Sequence, residues 1–241
     1  MGNHVDYYSS IISRQQVIDD EMRVRTHNLG CASVGGFKAQ EVRTKCRNKN
    51  FGSIIATKRY DSNFSKGAFF KTDDPYHMMI RNEGFFAVRR GNEIVYTADG
   101  RFSLDSERKL VTADGMPVMD ESGETEIIIP QDTASIHVAE NGEIYNERNQ
   151  VIGKVGVFNF QNPHRLRQVG ASSFETDGEV PYLVEDPKVL SGGYENSNVN
   201  IVYELTRIQD LANQYKRLTS QLKIFENLNE QGKDKLIKVY S

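Results

Sequence analysis

Few residues of this chain have the types and spacing of a catalytic or metal site. His27 and Cys31 lie four positions apart, a separation that places two side chains on one face of a helix and suits a pair of zinc ligands. A zinc site needs three or four protein ligands, and Cys46 is a poor supplement to this pair. A turn position that tolerates variation is therefore the better interpretation of His27 and Cys31.

A second candidate group consists of Asp73, Asp74 and His77, whose side chains could act in acid–base chemistry or hold a metal ion. They flank a proline in a polar stretch, where aspartate commonly forms turns. Asp99 and Asp114 each precede a glycine, which also favours turns. The sequence has no Gly-x-Ser-x-Gly, phosphate-loop or dinucleotide-binding pattern. We therefore predict that the protein is not an enzyme and has no cofactor or metal site.

The composition narrows the class of protein further. The 241 residues carry a net charge of −3, 38% of them are hydrophobic and none is tryptophan. A near-neutral balance without a large basic block argues against a dedicated nucleic-acid binder. No apolar run approaches the roughly 18 residues that a transmembrane helix needs. Residues 1–16 lack the basic and apolar regions of a secretory signal, so we expect no cleaved signal peptide.

The elements that would position any site are most clearly encoded near the C-terminus. Asn200 is a suitable N-cap, and Glu204 falls in the first turn of a long amphipathic run. Apolar residues alternate there at spacings of three and four for roughly three heptads, until Asn229 and Gly232 interrupt the pattern. This stripe consists of Ile201, Ile208, Leu211, Tyr215, Leu218, Leu222 and Phe225. So narrow a stripe predicts a helix that packs against another helix.

A second helix is predicted over residues 3–30. Its apolar stripe consists of Tyr8, Ile11, Ile18, Met22 and Leu29, and Gly30 ends the pattern. Pairing the two helices is the simplest way to bury both stripes, because isolated helices are marginal in water. The alternative is two separate surface helices packed on a globular core.

Between the two helices the sequence changes character twice. Residues 37–75 show no sustained period and predict an extended, partly ordered connector with room for one hairpin. Residues 76–188 alternate short β-type runs with turn dipeptides, which predicts an antiparallel β-domain. These dipeptides are Gly91-Asn92, Asp99-Gly100, Asp114-Gly115 and Asn141-Gly142. We therefore predict an α+β fold, with this β-domain inserted between long N- and C-terminal helices (1–36 and 189–241) that pair as a coiled-coil-like unit.

Five stretches, in this order along the chain, resemble motifs of one family: the bacterial flagellar axial proteins, and specifically the basal-body rod proteins. The first is HNLGCASVGGFKAQ at 27–40. It is similar to the family's Asn-Asn-Leu-Ala-Asn block and the Thr-x-Gly-Phe-Lys that follows it. The matching residues are Asn28, Leu29, Gly36, Phe37 and Lys38.

The other four stretches cover much of the remaining chain. Residues 71–91 resemble Thr-Gly-x-x-Leu-Asp-x-Ala-Ile followed by Gly-Phe-Phe, with Asp73 in place of the first glycine. Residues 96–118 resemble the Tyr-Thr-x-x-Gly-x-Phe and Leu-Val-Thr-x-x-Gly block. Residues 158–174 are similar to Asn-Pro-x-x-Leu-x-x-x-Gly-x-x-x-Phe, and residues 189–205 to the Leu-x-x-Ser-Asn-Val-Asn that precedes the C-terminal helix.

The resemblance implies a structural subunit of the flagellar rod, the shaft that transmits motor torque to the hook. It implies polymerisation through the terminal helices, with the residues of both stripes at the subunit interface. The implied partners are proximal and distal rod proteins, copies of this chain and the flagellar export apparatus, with no nucleic acid and no small-molecule substrate. The implied location is the periplasmic rod of the basal body, reached without a cleaved signal.

Two points are left open by the residues. The length and C-terminal end are more similar to the proximal than to the distal rod protein of this family. A competing hypothesis is a soluble β-domain that binds carbohydrate or peptide and is dimerised by its terminal helices.

Overall fold

A computed structural model describes the backbone of residues 2–49 and 53–239 and the side chains of residues 8–43, 59–228, 230 and 231. The described residues form an α+β fold with two helices and many antiparallel strands, as predicted. The helices are α1, Gly2–Gly30, and α2, Ile201–Val239. The strands are β1 Gln40–Lys49, β2 Ser53–Ser62, β3 Phe69–Lys71, β4 Met78–Ile80, β5 Phe85–Arg90, β6 Glu93–Thr97, β7 Ser103–Leu104, β8 Leu110–Val111, β9 Ile136–Val138, β10 Glu143–Asn146, β11 Val151–Lys154, β12 Val157–Asn159, β13 Arg167–Gln168, β14 Ser173–Glu175, β15 Tyr182–Leu183, β16 Val189–Ser191 and β17 Gly193–Glu195.

The ends of the helices follow the capping signals in the sequence. Asn200 Oδ1 accepts a hydrogen bond from the Tyr203 amide at 3.1 Å, which confirms Asn200 as the N-cap of α2. Gly30 is the last residue of α1, as the pattern predicted. The apolar pattern is interrupted at Asn229 and Gly232, but α2 continues through both residues and ends at Val239. A single glycine costs a helix only about 1 kcal/mol relative to alanine.

The chain divides into two compact units. The helix–hairpin unit consists of the described residues within 1–30, 40–61 and 200–241. The β unit consists of residues 31–39 and 62–199. The finer division predicted from the sequence, into two terminal helices, a connector over 37–75 and a β-domain over 76–188, remains a prediction.

In the helix–hairpin unit, α1 contacts α2, and β1 and β2 form a two-stranded sheet. The start of β1 is fixed to the end of α1 by one side chain. Asn28 Nδ2 donates to the Gln40 carbonyl at 2.9 Å, and the Gln40 amide donates back to Asn28 Oδ1 at 2.8 Å. The two hydrogen bonds pair the backbone amide and carbonyl at the start of β1 with the side chain of a residue near the end of α1.

The β unit is built around a six-stranded antiparallel sheet with the order β13-β14-β6-β5-β12-β15. β5 and β6 form its central hairpin, in which Val88 lies opposite Val95 and Arg90 opposite Glu93. Gly91 occupies the tight turn between them with φ of 62°, a conformation that glycine adopts without a steric penalty. A three-stranded sheet (β11-β10-β9) and three strand pairs (β16-β4, β17-β3 and β7-β8) complete this unit.

The core of the β unit consists of two apolar clusters. The larger cluster contains Phe86 and Phe102, which are fully buried and meet edge to face with ring centres 5.0 Å apart. The smaller contains Phe85 and Phe174, whose ring centres are 5.7 Å apart. Large buried aromatics of this kind supply most of the apolar area that holds a small sheet together.

Candidate subunit interface

The side chains of the two predicted stripes differ widely in burial. Ile11, Ile18 and Leu211 are buried, with at most 7% of their surface exposed. A half-buried group consists of Met22, Leu29, Ile208, Leu218, Leu222 and Phe225. An exposed group consists of Tyr8, Tyr215 and Ile201, with exposures of 37%, 40% and 50%. Packing within one chain therefore covers only part of each stripe.

The two helices contact each other in antiparallel orientation. Near the N-terminal end of α1, Tyr8 lies against Phe225 of α2, with ring centres 6.4 Å apart. Two turns further along α1, Gln15 Nε2 donates a hydrogen bond to Thr219 Oγ1 at 3.1 Å. A polar pair thus stands within the otherwise apolar stripes.

The C-terminal end of α1 is held to the start of α2 by a buried polar cluster, here called the Glu204 cluster: Arg25, Asn28 and Glu204. Glu204 is 3% exposed, and its carboxylate accepts hydrogen bonds from Arg25 Nη1 at 3.3 Å and Asn28 Nδ2 at 3.0 Å. Asn28 is fully buried, and its amide also makes the two hydrogen bonds to Gln40. Arg25 lies 3.6 Å from Glu21 as well. Such a cluster fixes one geometry, since a displaced partner would leave a buried charge unpaired.

A second buried cluster lies in the β unit and is here called the Glu195 cluster: Lys38, Lys66 and Glu195. Lys38 Nζ donates to Glu195 Oε1 at 2.6 Å, and the Gly67 amide donates to the same oxygen at 2.7 Å. Lys66 Nζ donates to the other oxygen at 3.3 Å. Burial lowers the pKa of Lys66, against the opposing attraction of Glu195. Glu195 thus ties together three segments that are distant in sequence.

Two of the motif residues have a clear structural task beside this cluster. Gly36 adopts φ of 64°, and a Cβ atom there would lie 2.2 Å from the Asp99 amide nitrogen, so the position requires glycine. Asn198 Oδ1 accepts a hydrogen bond from the Ala39 amide at 2.7 Å. Its Nδ2 donates to the Asn63 carbonyl at 2.8 Å. Gly36 therefore permits a close backbone approach, and Asn198 joins two backbone segments of the β unit.

Sequence reasoning missed the partners in both clusters. Asn28 and Lys38 were identified only as motif positions, and Glu195 was not singled out. One signal was available, because Lys38 directly follows Phe37 in an otherwise glycine-rich and apolar motif. A charge in such a place is buried only with a partner. The identity of that partner, 157 positions along the chain, depends on the fold.

α2 also presents apolar residues that lie outside the predicted stripe. Val202, Leu205, Ile224 and Leu228 are each more than half exposed. Single exposed apolar residues are common on protein surfaces.

The structure does not assemble a metal site from the candidates at the end of α1. His27 is exposed on the helix, whereas Cys31 lies beyond Gly30, the last helical residue. Burial raises the pKa of the Cys31 thiol. The side chain of Cys46 lies outside the described residues. Among those that are described, no group of three or more His, Cys, Asp or Glu side chains could hold a metal ion.

The residues Asp73, Asp74 and His77 are brought close together, in a turn. His77 Nδ1 lies 2.8 Å from Thr72 Oγ1, and its Nε2 lies 3.8 Å from Asp74 Oδ2. Asp74 Oδ1 also accepts a hydrogen bond from a backbone amide two residues on, which is typical of an Asx turn. Asp73 has φ of 59° and pairs with exposed Lys71 at 2.9 Å. The predicted turn-forming role describes these contacts well.

Neither of the helices in the described part of the chain is long and apolar enough to cross a lipid bilayer.

Comparisons with known proteins point in one direction. Residues 79–146 match the model of the flagellar hook protein FlgE/F/G D1 domain. The chain is 26% identical to the flagellar basal-body rod protein FlgF of Caulobacter vibrioides over 95% of this chain and 96% of that protein. It is 27% identical to FlgF of Mesorhizobium japonicum, over 82% of this chain and 83% of that protein. It is 28% identical to the rod protein FlgG of Buchnera aphidicola subsp. Acyrthosiphon pisum, over 78% of this chain and 83% of that protein.

Proposed function

We propose that this chain, a member of the flagellar basal-body rod proteins, polymerises through its terminal helices into the helical shaft that transmits torque to the hook. Its role is structural, its place is the flagellar basal body and it assembles with other rod components. It is not an enzyme, because the rod proteins that it resembles are structural.

The observation that carries the proposal is the incomplete coverage of the helical stripes. Ile201 and Tyr215 are at least 40% exposed, although their neighbour Leu211 is buried against the rest of the unit. A stripe that is half covered within one chain has apolar area left for a second helix. We propose that the two helices pair in a coiled-coil-like manner and that both stripes also contact helices of neighbouring subunits.

The geometry of α2 suits a lattice of such contacts. Its 39 residues span about 58 Å at 1.5 Å per residue, whereas α1 has only 29 residues to pair with it. Part of α2 is therefore available to more than one neighbour. A heterologous contact that does not close on itself gives a helical filament rather than a dimer.

Further parts of the proposal follow from the family resemblance. The chain would be a proximal rod protein, with the distal type as the second choice. Its neighbours would be proximal and distal rod proteins and further copies of itself. It would reach the periplasmic part of the basal body through the flagellar export apparatus, without a cleaved signal peptide.

Leu218→Asp tests the proposal at the centre of the stripe. Leu218 is half-buried on α2, so a carboxylate there opposes helix packing without touching the core of the β unit. We expect this variant, produced from the chromosomal locus, to abolish rod assembly while the purified protein keeps its β-unit fold by circular dichroism. Gln221→Asp places the same charge on an exposed position of the same helix and is the control.

Normal rods in the Leu218→Asp strain would overturn the assignment of the stripe. A compact two-fold dimer of the unaltered chain at low concentration would instead favour a binding module dimerised by its helices. Failure of both aspartate variants would show that any charge on α2 is harmful, and the stripe would then have no special role.

A further inference from the structure

A cavity of about 320 Å³ opens beside the Glu195 cluster, and all the residues that line it belong to the β unit. Lys38 and Lys66 of the cluster form part of its wall, together with Phe64 and Phe85. This volume lies near the lower end of the roughly 300–1,000 Å³ that is usual for ligand pockets. The cavity, here called the Lys66 cavity, therefore has room for a small ligand or for one large side chain.

The two lysines of this wall share a single carboxylate. Lys38 Nζ donates to Glu195 Oε1 at 2.6 Å and to the Ser65 carbonyl at 3.1 Å. Lys66 Nζ donates to Glu195 Oε2 at 3.3 Å. An ammonium group has three N–H donors, so the contacts within the described residues use two donors of Lys38 and one of Lys66. Three donors and one net positive charge of the cluster remain for a further acceptor.

Burial makes that positive charge unfavourable. Lys38 is 1% exposed, and the side chain of Lys66 is 25% exposed. Burial is the largest cause that lowers the pKa of Lys66, against the attraction of Glu195, and the neighbouring charge of Lys38 lowers this pKa further. An anion in the cavity would stabilise both ammonium groups, because a buried charge is tolerated when it is paired and hydrogen-bonded.

Two further titratable side chains line the cavity, and neither balances this charge. Glu83 is exposed, so water and salt screen it, and its attraction is the last of the causes that shift the pKa of Lys66. His164 is exposed as well and lies against Phe64, with ring centres 5.9 Å apart. The buried end of the cavity wall therefore stays positive.

The rest of the wall is apolar and largely aromatic. Phe64 and Phe85 meet edge to face with ring centres 5.6 Å apart, and Pro163 adds apolar surface. Phe64 also lies 5.3 Å from the ring of Phe174, which is fully buried, so the aromatic wall is continuous with the core. An apolar wall next to two ammonium groups complements a ligand that has an apolar body and one anionic group.

We infer that the Lys66 cavity binds a carboxylate attached to an apolar body, with the ammonium groups of Lys66 and Lys38 as hydrogen-bond donors to the carboxylate. One net positive charge matches a carboxylate better than a phosphate, which carries about two negative charges. The carboxylate belongs either to a small organic acid or to an acidic residue of another rod component. This inference goes beyond the proposed function and does not depend on it.

Benzoate is the probe that tests the site, in an NMR titration of the unaltered full-length chain. We expect saturable shifts of the backbone amides of Lys66 and Gly84, which line the cavity. Benzamide has the same ring without the charge and should bind about tenfold more weakly or less, because it cannot pair with the ammonium groups. Equal affinities for the two compounds, or no shifts with either, would overturn the inference.

Lys66→Met tests the role of the ammonium group, since it removes the charge and keeps an unbranched side chain. Its affinity for benzoate should fall by about tenfold or more. Lys71→Met removes a lysine whose side chain is 72% exposed, and it is the matched control with unchanged affinity. Unchanged affinity in Lys66→Met would overturn the inference. If this variant loses the β-unit fold by circular dichroism, the comparison of benzoate with benzamide in the unaltered chain decides.

Two measurements distinguish the sources of the carboxylate. A small organic acid should appear as a bound mass in native mass spectrometry of the chain purified from its own cells, and it should be absent from Lys66→Met. An acidic residue of another rod component should be displaced by benzoate, so that saturating benzoate, but not benzamide, weakens the association of the chain with that component in sedimentation. Neither a bound acid nor displacement would show that the cavity takes no natural carboxylate, and would overturn the inference.

Discussion

The two units of this protein are stabilised in different ways. The β unit buries a continuous set of apolar side chains, among them Phe86, Phe102, Leu110 and Ile144 with at most 1% exposure. In the described part of the helix–hairpin unit, the buried hydrophobic residues are Ile11, Ile18, Val24 and Leu211. The buried polar or charged residues in the described part of that unit outnumber them by one: Asp20, Arg25, Asn28, Asp61 and Glu204.

The difference follows from what each kind of burial contributes. Apolar burial stabilises by about 25 cal/mol per Å², whatever the exact arrangement of the side chains. A buried ion pair contributes little net stability, because the loss of hydration offsets the attraction, but it strongly disfavours other arrangements. The β unit therefore has its own stability, whereas the helices have a defined geometry and leave part of their apolar surface exposed.

The largest expected effect is in the β unit. Phe86→Ala would lower its free energy of unfolding by about 3–5 kcal/mol, because Phe86 is fully buried against Phe102 and leaves a cavity. Urea unfolding followed by intrinsic tyrosine fluorescence measures the change. Phe70→Ala, which removes an aromatic ring that is 51% exposed, is the control and should cost far less. Similar losses in the two variants would contradict a core centred on Phe86.

The second prediction concerns the Glu204 cluster of the helix–hairpin unit, where a buried charge and not an apolar side chain is changed. Glu204→Gln would lower the local stability of α1 and the start of α2 by about 3 kcal/mol, because the buried charge of Arg25 would keep only its 3.6 Å contact with Glu21. Hydrogen exchange of the amides around residues 20–30 and 200–210 measures this loss, while the amides of the β unit keep their protection.

Two variants make that result interpretable. Glu226→Gln changes an exposed carboxylate on the same helix and should leave exchange unaltered. Arg25→Met combined with Glu204→Leu removes both charges and should cost less than Glu204→Gln alone. A double variant as unstable as the single one would mean that packing, and not the unpaired charge, accounts for the loss.

Local rules predicted much of the fold from the sequence. The N-cap at Asn200, the helix end at Gly30 and the two-residue turn at Gly91 each depend on a few neighbouring residues. The apolar stripes depend only on the helical period, and Ile11, Ile18 and Leu211 are buried as the stripes indicated. The comparisons confirmed the family that the motifs suggested.

The buried charges could not be predicted in the same way. Lys38 meets Glu195, and Arg25 meets Glu204, across more than 150 positions of sequence. Their pairing depends on the finished fold, and no local rule specifies it. The exposed apolar residues Val202 and Ile224 were not singled out, because the predicted stripe follows one heptad spacing and these two positions do not fall on it.

Asp73 offers a smaller test, at a position where the family pattern has glycine. Its φ of 59° costs a residue with a Cβ atom some strain, which aspartate tolerates better than most. Asp73→Gly would relieve that strain and add freedom to the unfolded chain, so we expect the β unit to gain no more than about 1 kcal/mol. The pair that it loses with Lys71 is exposed and contributes little.

The control for this substitution runs in the opposite direction. Gly115 has φ of 77° and open space around its Cβ position, so Gly115→Ala adds backbone strain without a steric clash. It should lower the midpoint of urea unfolding, while Asp73→Gly raises it or leaves it unchanged. A clear loss of stability in Asp73→Gly would mean that the aspartate side chain has a structural task beyond its contact with Lys71.

The smallest expected effect is a pH dependence confined to the β unit. Burial raises the pKa of Tyr96 above its ordinary value of 10.0, so the folded protein keeps this phenol protonated after the unfolded chain has lost the proton. The stability that Tyr96 contributes is present below pH 10 and is lost as the pH rises through the raised value. Tyr96→Phe has no such loss, so the free energy of unfolding of the unaltered protein should decline relative to that of the variant as the pH rises through 10 and above. Urea titrations at several pH values measure this difference, in which the ionisation of all other groups cancels. Equal slopes for the two proteins would mean that the Tyr96 hydroxyl reaches water in the folded state, and that the smaller core cluster is less completely closed than its 6% exposure indicates.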